Sequence, residues 1–151
     1  MPEIIYEDNH VLVAVKPPNM LSQADKTGDT DILTLLKGYI KEKYQKPGNV
    51  YLGLVHRLDR PVGGLMVFAR TSKAASRLSE QLRTHAMHRD YLTVVENAQG
   101  MPASGTLHNW LQKDEKTGNV ATVAPKTPGA QEAVLHYTVL AVHEEKALVH
   151  V

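Results

Sequence analysis

The run His56-Arg57-Leu58-Asp59-Arg60 gathers the densest set of residues able to do chemistry in this chain. Asp59 stands between two guanidinium groups, and nearby cations favour the ionised carboxylate. An ionised carboxylate can act as a nucleophile or as a base. Its setting matters as much as its type. Val50 to Val55 and Val62 to Ala69 are nearly unbroken apolar runs of strand length, a pattern expected of central strands covered on both faces. Residues at the ends of stiff strands keep fixed places, which a catalytic group needs. Gly63 and Gly64 lack side chains, so backbone or ligand could approach closely there. Physics alone leaves a second reading open, a surface turn whose charges pair with one another.

Charge is distributed unevenly around that run. The net charge is only +1, yet residues 56–89 hold seven Lys/Arg against two Asp/Glu. A basic band on a near-neutral chain fits a protein that touches phosphates in one place. Its candidates are Lys73, Arg77, Arg83 and Arg89. Each taken alone also fits a solvated charge, and the band as a whole also fits a solvated helix face. Tyr91 reads by itself as an ordinary strand aromatic, His56 as a satisfied structural group, and Trp110 as a core residue. His85 and His88 are three apart with no matching partner nearby, a poor metal pair. The absence of cysteine excludes disulfides, Cys-ligated zinc and thiol catalysis.

The elements that must position these residues follow from periodicity and turn signals. Short strands are expected at residues 3–7 and 10–16, the second stopped by Pro17-Pro18-Asn19. A polar loop over 22–30 leads to a helix of about 31–44, capped from Asp29, Thr30 or Asp31, with Ile32, Leu35, Leu36, Tyr39 and Ile40 on one stripe. Ser72 can cap a second helix over about 72–84, with Ala74, Leu78 and Leu82 inward. Strands are expected at 88–96 and near 104–112, 119–124, 132–142 and 146–151, with a hairpin turn at Lys116-Thr117-Gly118-Asn119. Early strands and helices followed by mostly strands give an α+β class, with a mixed, mostly antiparallel central sheet and a few flanking helices. A length of 151 residues is that of a single domain. The N-terminus lacks the features of a signal peptide, and no apolar run approaches the roughly 18–20 residues of a membrane span. A soluble cytoplasmic protein is therefore expected.

The segment Val55-His56-Arg57-Leu58-Asp59-Arg60-Pro61-Val62-Gly63-Gly64-Leu65 resembles the signature loop of the RluA-type pseudouridine synthases. The likeness extends to Glu3-Ile4-Ile5-Tyr6-Glu7-Asp8 and to Val11-Leu12-Val13-Ala14-Val15-Lys16-Pro17, which resemble the family's opening strands. Lys73-Ala74-Ala75 follows the signature as in the family, and Arg89-Asp90-Tyr91-Leu92 resembles the strand that carries its active-site tyrosine. The resemblance runs over most of residues 3–95 and more weakly to 151. It implies an isomerase that converts uridine to pseudouridine in structured rRNA or tRNA, without cofactor or metal. It implies Asp59 as the catalytic carboxylate and Tyr91 as the residue lying against the flipped base. Arg57 would help hold the RNA open and His56 would contact it. Arg60, Lys73, Arg77, Arg83 and Arg89 would join them in binding RNA.

The chain also departs from the family pattern. Val62-Gly63-Gly64 replaces the usual hydroxyl-bearing segment, and Arg89 replaces a commoner lysine. Ala147-Leu148-Val149-His150-Val151 resembles the strand leading into a third family motif, whose basic residue pairs with the catalytic aspartate. The expectation is thus one catalytic domain over 1–151, lacking its C-terminal portion and an accessory N-terminal RNA-binding domain. Two further expectations follow. One is a catalytically incomplete RNA-binding module as the alternative function. The other is self-association through an open sheet edge. A glycosidase-like hydrolase would need two carboxylates astride its bond, and the loop offers one.

Overall fold

In the computed structural model, which describes residues 1–151, the chain forms two units, Met1–His88 and Arg89–Val151. Each has its own antiparallel sheet. The α+β, mostly antiparallel class stands, with the strands divided between a four-stranded and a five-stranded sheet. The parallel contact in the chain is an isolated bridge between Leu21 and Asp31. No helix is long and apolar enough to cross a membrane.

The first unit contains β1 (Ile4–Glu7), β2 (Val11–Lys16), α1 (Ile32–Lys43), β3 (Gly53–Leu54), β4 (Gly64–Ala69) and α2 (Ser72–Arg83). Its sheet order is β1-β2-β4-β3. The turn between β1 and β2 is held by Asp8, whose carboxylate accepts the N–H groups of His10 and Val11, each at 2.7 Å. β2 alternates: Leu12, Ala14 and Lys16 are buried, while Val11, Val13 and Val15 are half-buried. In α1 the buried residues Ile32, Leu36 and Ile40 recur every four positions, the spacing that places side chains on one helix face. Of the three capping candidates, Asp31 serves, its Oδ1 accepting the Thr34 N–H at 2.9 Å. In α2 the cap is Thr71 rather than Ser72, with Oγ1 accepting from Ala74 N at 3.1 Å. The core joins Leu12, Ala14, Ile32, Leu36, Ile40, Leu52, Leu58, Met66 and Phe68.

The two apolar runs behave differently from the expectation of paired central strands. β4 is central, between β2 and β3, but β3 is an edge strand of two residues. Its pairing ends at Leu54 opposite Phe68, because the next available donor, the Val67 N–H, goes to Nε2 of His56 at 3.0 Å. Nor is β4 covered on both faces: Met66, Phe68 and Ala69 are buried, whereas Leu65 is 60% exposed.

A polar hub ties the unit together. The Glu7 carboxylate accepts hydrogen bonds from Tyr39 (2.9 Å), Lys43 (2.8 Å), Tyr44 (2.7 Å) and Arg70 (3.0 Å). Arg70 also donates to the Asp8 carbonyl and lies over the Tyr44 ring. Burial pushes the Glu7 carboxyl up. The bonds from Lys43, Tyr44 and Tyr39, with the Lys43 charge, outweigh it and bring the group down to about 2.

The second unit contains β5 (Leu92–Val95), β6 (Ser104–Lys113), β7 (Val120–Val123), β8 (Gln131–His143) and β9 (Lys146–His150), in the order β5-β9-β8-β6-β7. The expected hairpin turn joins β6 to β7. Gly118 adopts φ +76°, a conformation glycine takes without steric cost. Asp114 Oδ1 accepts from Lys116 N at 2.7 Å and Thr117 N at 3.1 Å. The core here is small: Ala98, Ala147 and Val149, with Val95, Met101, Tyr137, Val139 and Val151 against them. Trp110, expected in a core, is only half-buried and joins neither cluster. It stands across from Glu132 on β8 and Val123 on the edge strand β7, whereas this unit's core gathers around Ala147 and Val149 of β9.

Candidate active site

The loop from Val55 to Gly63 joins β3 to β4 and carries Asp59. Leu58, immediately before Asp59, is 8% exposed and belongs to the first unit's core. A loop residue buried this way anchors the backbone on either side of it. Asp59 itself is exposed, so its carboxylate faces solvent while the chain beneath it is tethered.

The tethers are specific. Ser22 Oγ donates to the Leu58 carbonyl at 2.6 Å and accepts the Leu58 N–H at 3.1 Å. The Asp59 carbonyl accepts from Val62 N at 3.0 Å, closing a four-residue turn. Lys16 Nζ donates to the Arg60 carbonyl at 3.2 Å, as well as to Met20 O at 2.7 Å and Pro17 O at 3.3 Å. Gly63 lies against Pro18, where an added Cβ would come within 2.9 Å of Pro18 Cδ. Gly64 takes φ +145° as the chain enters β4, a conformation that side chains disfavour. Gly63 is thus required by the packing of the loop, and Gly64 by its backbone conformation.

Lys16 is fully buried, and its three carbonyl partners match the three donors of an ammonium group. Burial pulls the ammonium below the ordinary lysine value, and the Asp59 carboxylate opposes that pull. Asp59 therefore has a buried cation within electrostatic range, contributed from the end of β2. The arginines expected to flank it are arranged otherwise. Arg60 turns to Asp29, Nη1 to Oδ2 at 2.7 Å. Both side chains are about half exposed, so the pair is worth at most about 1 kcal/mol and can open to a competing anion. Arg57 is exposed and enters no ion pair. The His56 ring takes the Val67 N–H on Nε2, which requires that nitrogen to be unprotonated. Nε2 of His56 is thus engaged within the fold.

The remaining candidates fall into two groups. Lys73, Arg77 and Arg83 are exposed on α2. Lys73 and Arg77 lie one helical turn apart, and Arg83 pairs with Glu80 at 2.6 Å on the open surface. Arg89 and Tyr91 belong to the second unit. Tyr91 precedes β5, and its backbone exchanges two 2.9 Å hydrogen bonds with Val151. The residue is 39% exposed. His85 and His88 are exposed, and no three metal-ligating side chains converge. Sequence reasoning missed Ser22 and the anchoring of Leu58, and offered Asp29 only as a helix cap rather than as the partner of Arg60. It singled out Lys16 only as part of a motif.

A solvent-facing carboxylate on an over-tethered backbone is suited to attack, or to take a proton from, a bound substrate. The family model for RNA pseudouridylate synthase matches residues 10–151. The chain belongs to the RNA pseudouridylate synthase family. The RluA-type resemblance is borne out by its relatives. Ribosomal large subunit pseudouridine synthase D of Xanthomonas campestris pv. campestris is 39% identical over 134 residues, 89% of this chain and 38% of that protein. An uncharacterised RNA pseudouridine synthase of Bacillus subtilis is 31% identical over 147 residues, 97% of this chain and 46% of its own length. tRNA pseudouridine synthase C of Pectobacterium carotovorum subsp. carotovorum is 32% identical over 145 residues, 93% and 35%. The chain thus spans less than half the length of these pseudouridine synthases. Among solved structures, human RNA pseudouridylate synthase domain containing 4 superposes with a TM-score of 0.79 at 25% identity, covering 98% of this chain and 57% of that one. Human RNA pseudouridylate synthase domain containing 1 gives 0.69 at 15% identity, with 99% and 58% covered, a likeness of fold.

Proposed function

We propose that this chain carries the catalytic carboxylate of an RNA pseudouridine synthase, Asp59, and that its two units are parts of one catalytic domain. The observation that carries the reading is the tethered, solvent-facing Asp59 in a chain matched by the family model from residue 10 to its end. In the reaction the N1–C1′ glycosidic bond of a uridine breaks and a C5–C1′ bond forms. The proton leaves C5 for solvent, and N1 gains one. Asp59 attacks C1′ directly or removes a proton from the sugar to give a glycal. Either role needs one ionised carboxylate in a fixed position and no cofactor.

The substrate is structured RNA, rRNA or tRNA, and the site of action the cytoplasm; relatives named for the ribosomal large subunit and for tRNA support the substrate class. The target base must leave its stack, at a cost of a few kcal/mol. Tyr91 offers a partly exposed ring against which a flipped base can lie, worth about 1–3 kcal/mol. Arg57, exposed two residues before Asp59, holds the opened strand. Lys73 and Arg77, with Arg83, Arg60 and Arg89, supply phosphate contacts. His56 supports the loop from within.

The test is tritium release from RNA containing uridine labelled at C5. The wild-type chain releases tritium, and Asp59→Asn, folded by circular dichroism, releases none. Activity retained in Asp59→Asn overturns the assignment. RNA binding without any release by the wild type identifies a non-catalytic RNA-binding module instead.

A further inference from the structure

Ser22 stands in a polar stretch with no periodicity, yet its side chain is buried, 6% exposed. Its neighbours fix it to the start of α1: Leu21 accepts the Ile32 N–H at 2.9 Å and bridges Asp31. From there the Ser22 hydroxyl serves both polar groups of one backbone residue, donating to Leu58 O at 2.6 Å and accepting from Leu58 N at 3.1 Å. A hydroxyl has one proton to donate. The Met66 sulfur, at 3.8 Å, is the weaker acceptor and does not compete for it.

Leu58 lies between β3 and β4 and belongs to no ladder. Without Ser22 its N–H and C=O would be buried and unpaired. The geometry then passes directly to Asp59. The Leu58 carbonyl and the Asp59 N–H belong to one planar peptide unit, so a bond that holds Leu58 O holds the plane from which the Asp59 Cα departs. The following plane is held as well, through Asp59 O and Val62 N, and the one after it through Arg60 O and Lys16. Asp59 sits between two fixed planes, and of the fastenings on its N-terminal side only Ser22 acts by hydrogen bond on the adjoining one.

We infer that Ser22 is a positioning residue for Asp59, acting through the Leu58–Asp59 peptide plane. The inference rests on Asp59 being the catalytic carboxylate. A misplacement of about 1 Å costs on the order of a hundredfold in rate. Ser22→Ala is therefore expected to lower kcat about tenfold to a hundredfold, because the carboxylate loses its place while the RNA contacts remain. KM stays within about threefold.

The experiment combines tritium-release kinetics with amide hydrogen exchange on the intact chain, for wild type, Ser22→Ala, Ser22→Thr and Asp59→Asn. The expected result in Ser22→Ala is Leu58 amide exchange faster by about tenfold or more, unchanged exchange at Leu12 and Phe68, and the kcat loss above. Ser22→Thr, which keeps the hydroxyl, restores both. Should the added methyl disturb folding, Ser22→Cys, of nearly the same size with a weaker donor, gives intermediate kcat and exchange. Ser22→Ala with wild-type kcat overturns the inference while Asp59 stands. So does a kcat loss accompanied by faster exchange at Leu12 and Phe68 and not restored by either hydroxyl or thiol, since that is general destabilisation. An inactive wild type, or an active Asp59→Asn, overturns the proposed function and this inference with it.

Discussion

Replacing Glu7 by Gln tests whether the polar hub holds the first unit together through charge. Glutamine copies the shape of the protonated carboxyl and removes its charge. The Glu7 carboxyl falls from an ordinary 4.5 to about 2 in the fold, and each tenfold change in proton affinity corresponds to about 1.4 kcal/mol. Unscreened, the charge of Glu7 would contribute about 3 kcal/mol. Lys43 is 46% exposed, so water and salt weaken its share, and about 2 kcal/mol is the expected contribution. Arg70, at 9% exposure, would in addition be left buried without its carboxylate, which adds to the loss. The folded value lies below the unfolded one. The stabilisation is therefore complete above about pH 4.5 and is lost as pH falls through about 2. Urea unfolding of wild type and Glu7→Gln, followed by circular dichroism from pH 7 to pH 2, checks this. A gap of about 2–3 kcal/mol is expected at neutral pH, narrowing steadily below pH 4.5 and nearly closed at pH 2. A gap of the same size at both ends, or one below about 0.5 kcal/mol at pH 7, refutes the reasoning.

Other consequences of the structure can be measured in the same way. Gly63→Ala must push the site loop off Pro18, since its Cβ would sit 2.9 Å from Pro18 Cδ. It is expected to lower kcat at least tenfold for a stability cost of about 1–3 kcal/mol, and wild-type turnover would show that the loop tolerates the shift. Thr71→Ala removes the α2 cap and is expected to cost about 1 kcal/mol in urea unfolding, whereas Ser72→Ala should be within about 0.5 kcal/mol of wild type; the reverse order would restore Ser72 as the cap. Arg77→Ala is expected to weaken RNA binding evenly across sequences and reduce the slope of log affinity against log salt by about 1, measured by fluorescence anisotropy at several salt concentrations.

Much of the local structure was legible from residue order because local periodicity governs it. The stripe Ile32, Leu36, Ile40, the cap at Asp31 and the turn before Gly118 are contained within a few residues each. The errors arose where neighbours in space decide. Val50 to Val55 has the composition of a strand but pairs only at Gly53 and Leu54, because the His56 ring takes the next donor. Trp110 has the composition of a core residue but stands beside the edge strand β7, away from the core around β9. Arg60 adjoins Asp59 in sequence yet pairs with Asp29.

The sequence by itself determined the identity of the candidate carboxylate and the family to which its loop belongs, since a contiguous motif survives without any knowledge of the fold. Only the tertiary structure decided how that carboxylate is held. Ser22 reaches Leu58 across 36 positions, and Lys16 reaches Arg60 across 44. Contacts at such separations depend on strand register and on which side chains the core excludes from water. No local pattern encodes them, and the buried lysine near Asp59 became visible only once β2 and the site loop were brought together.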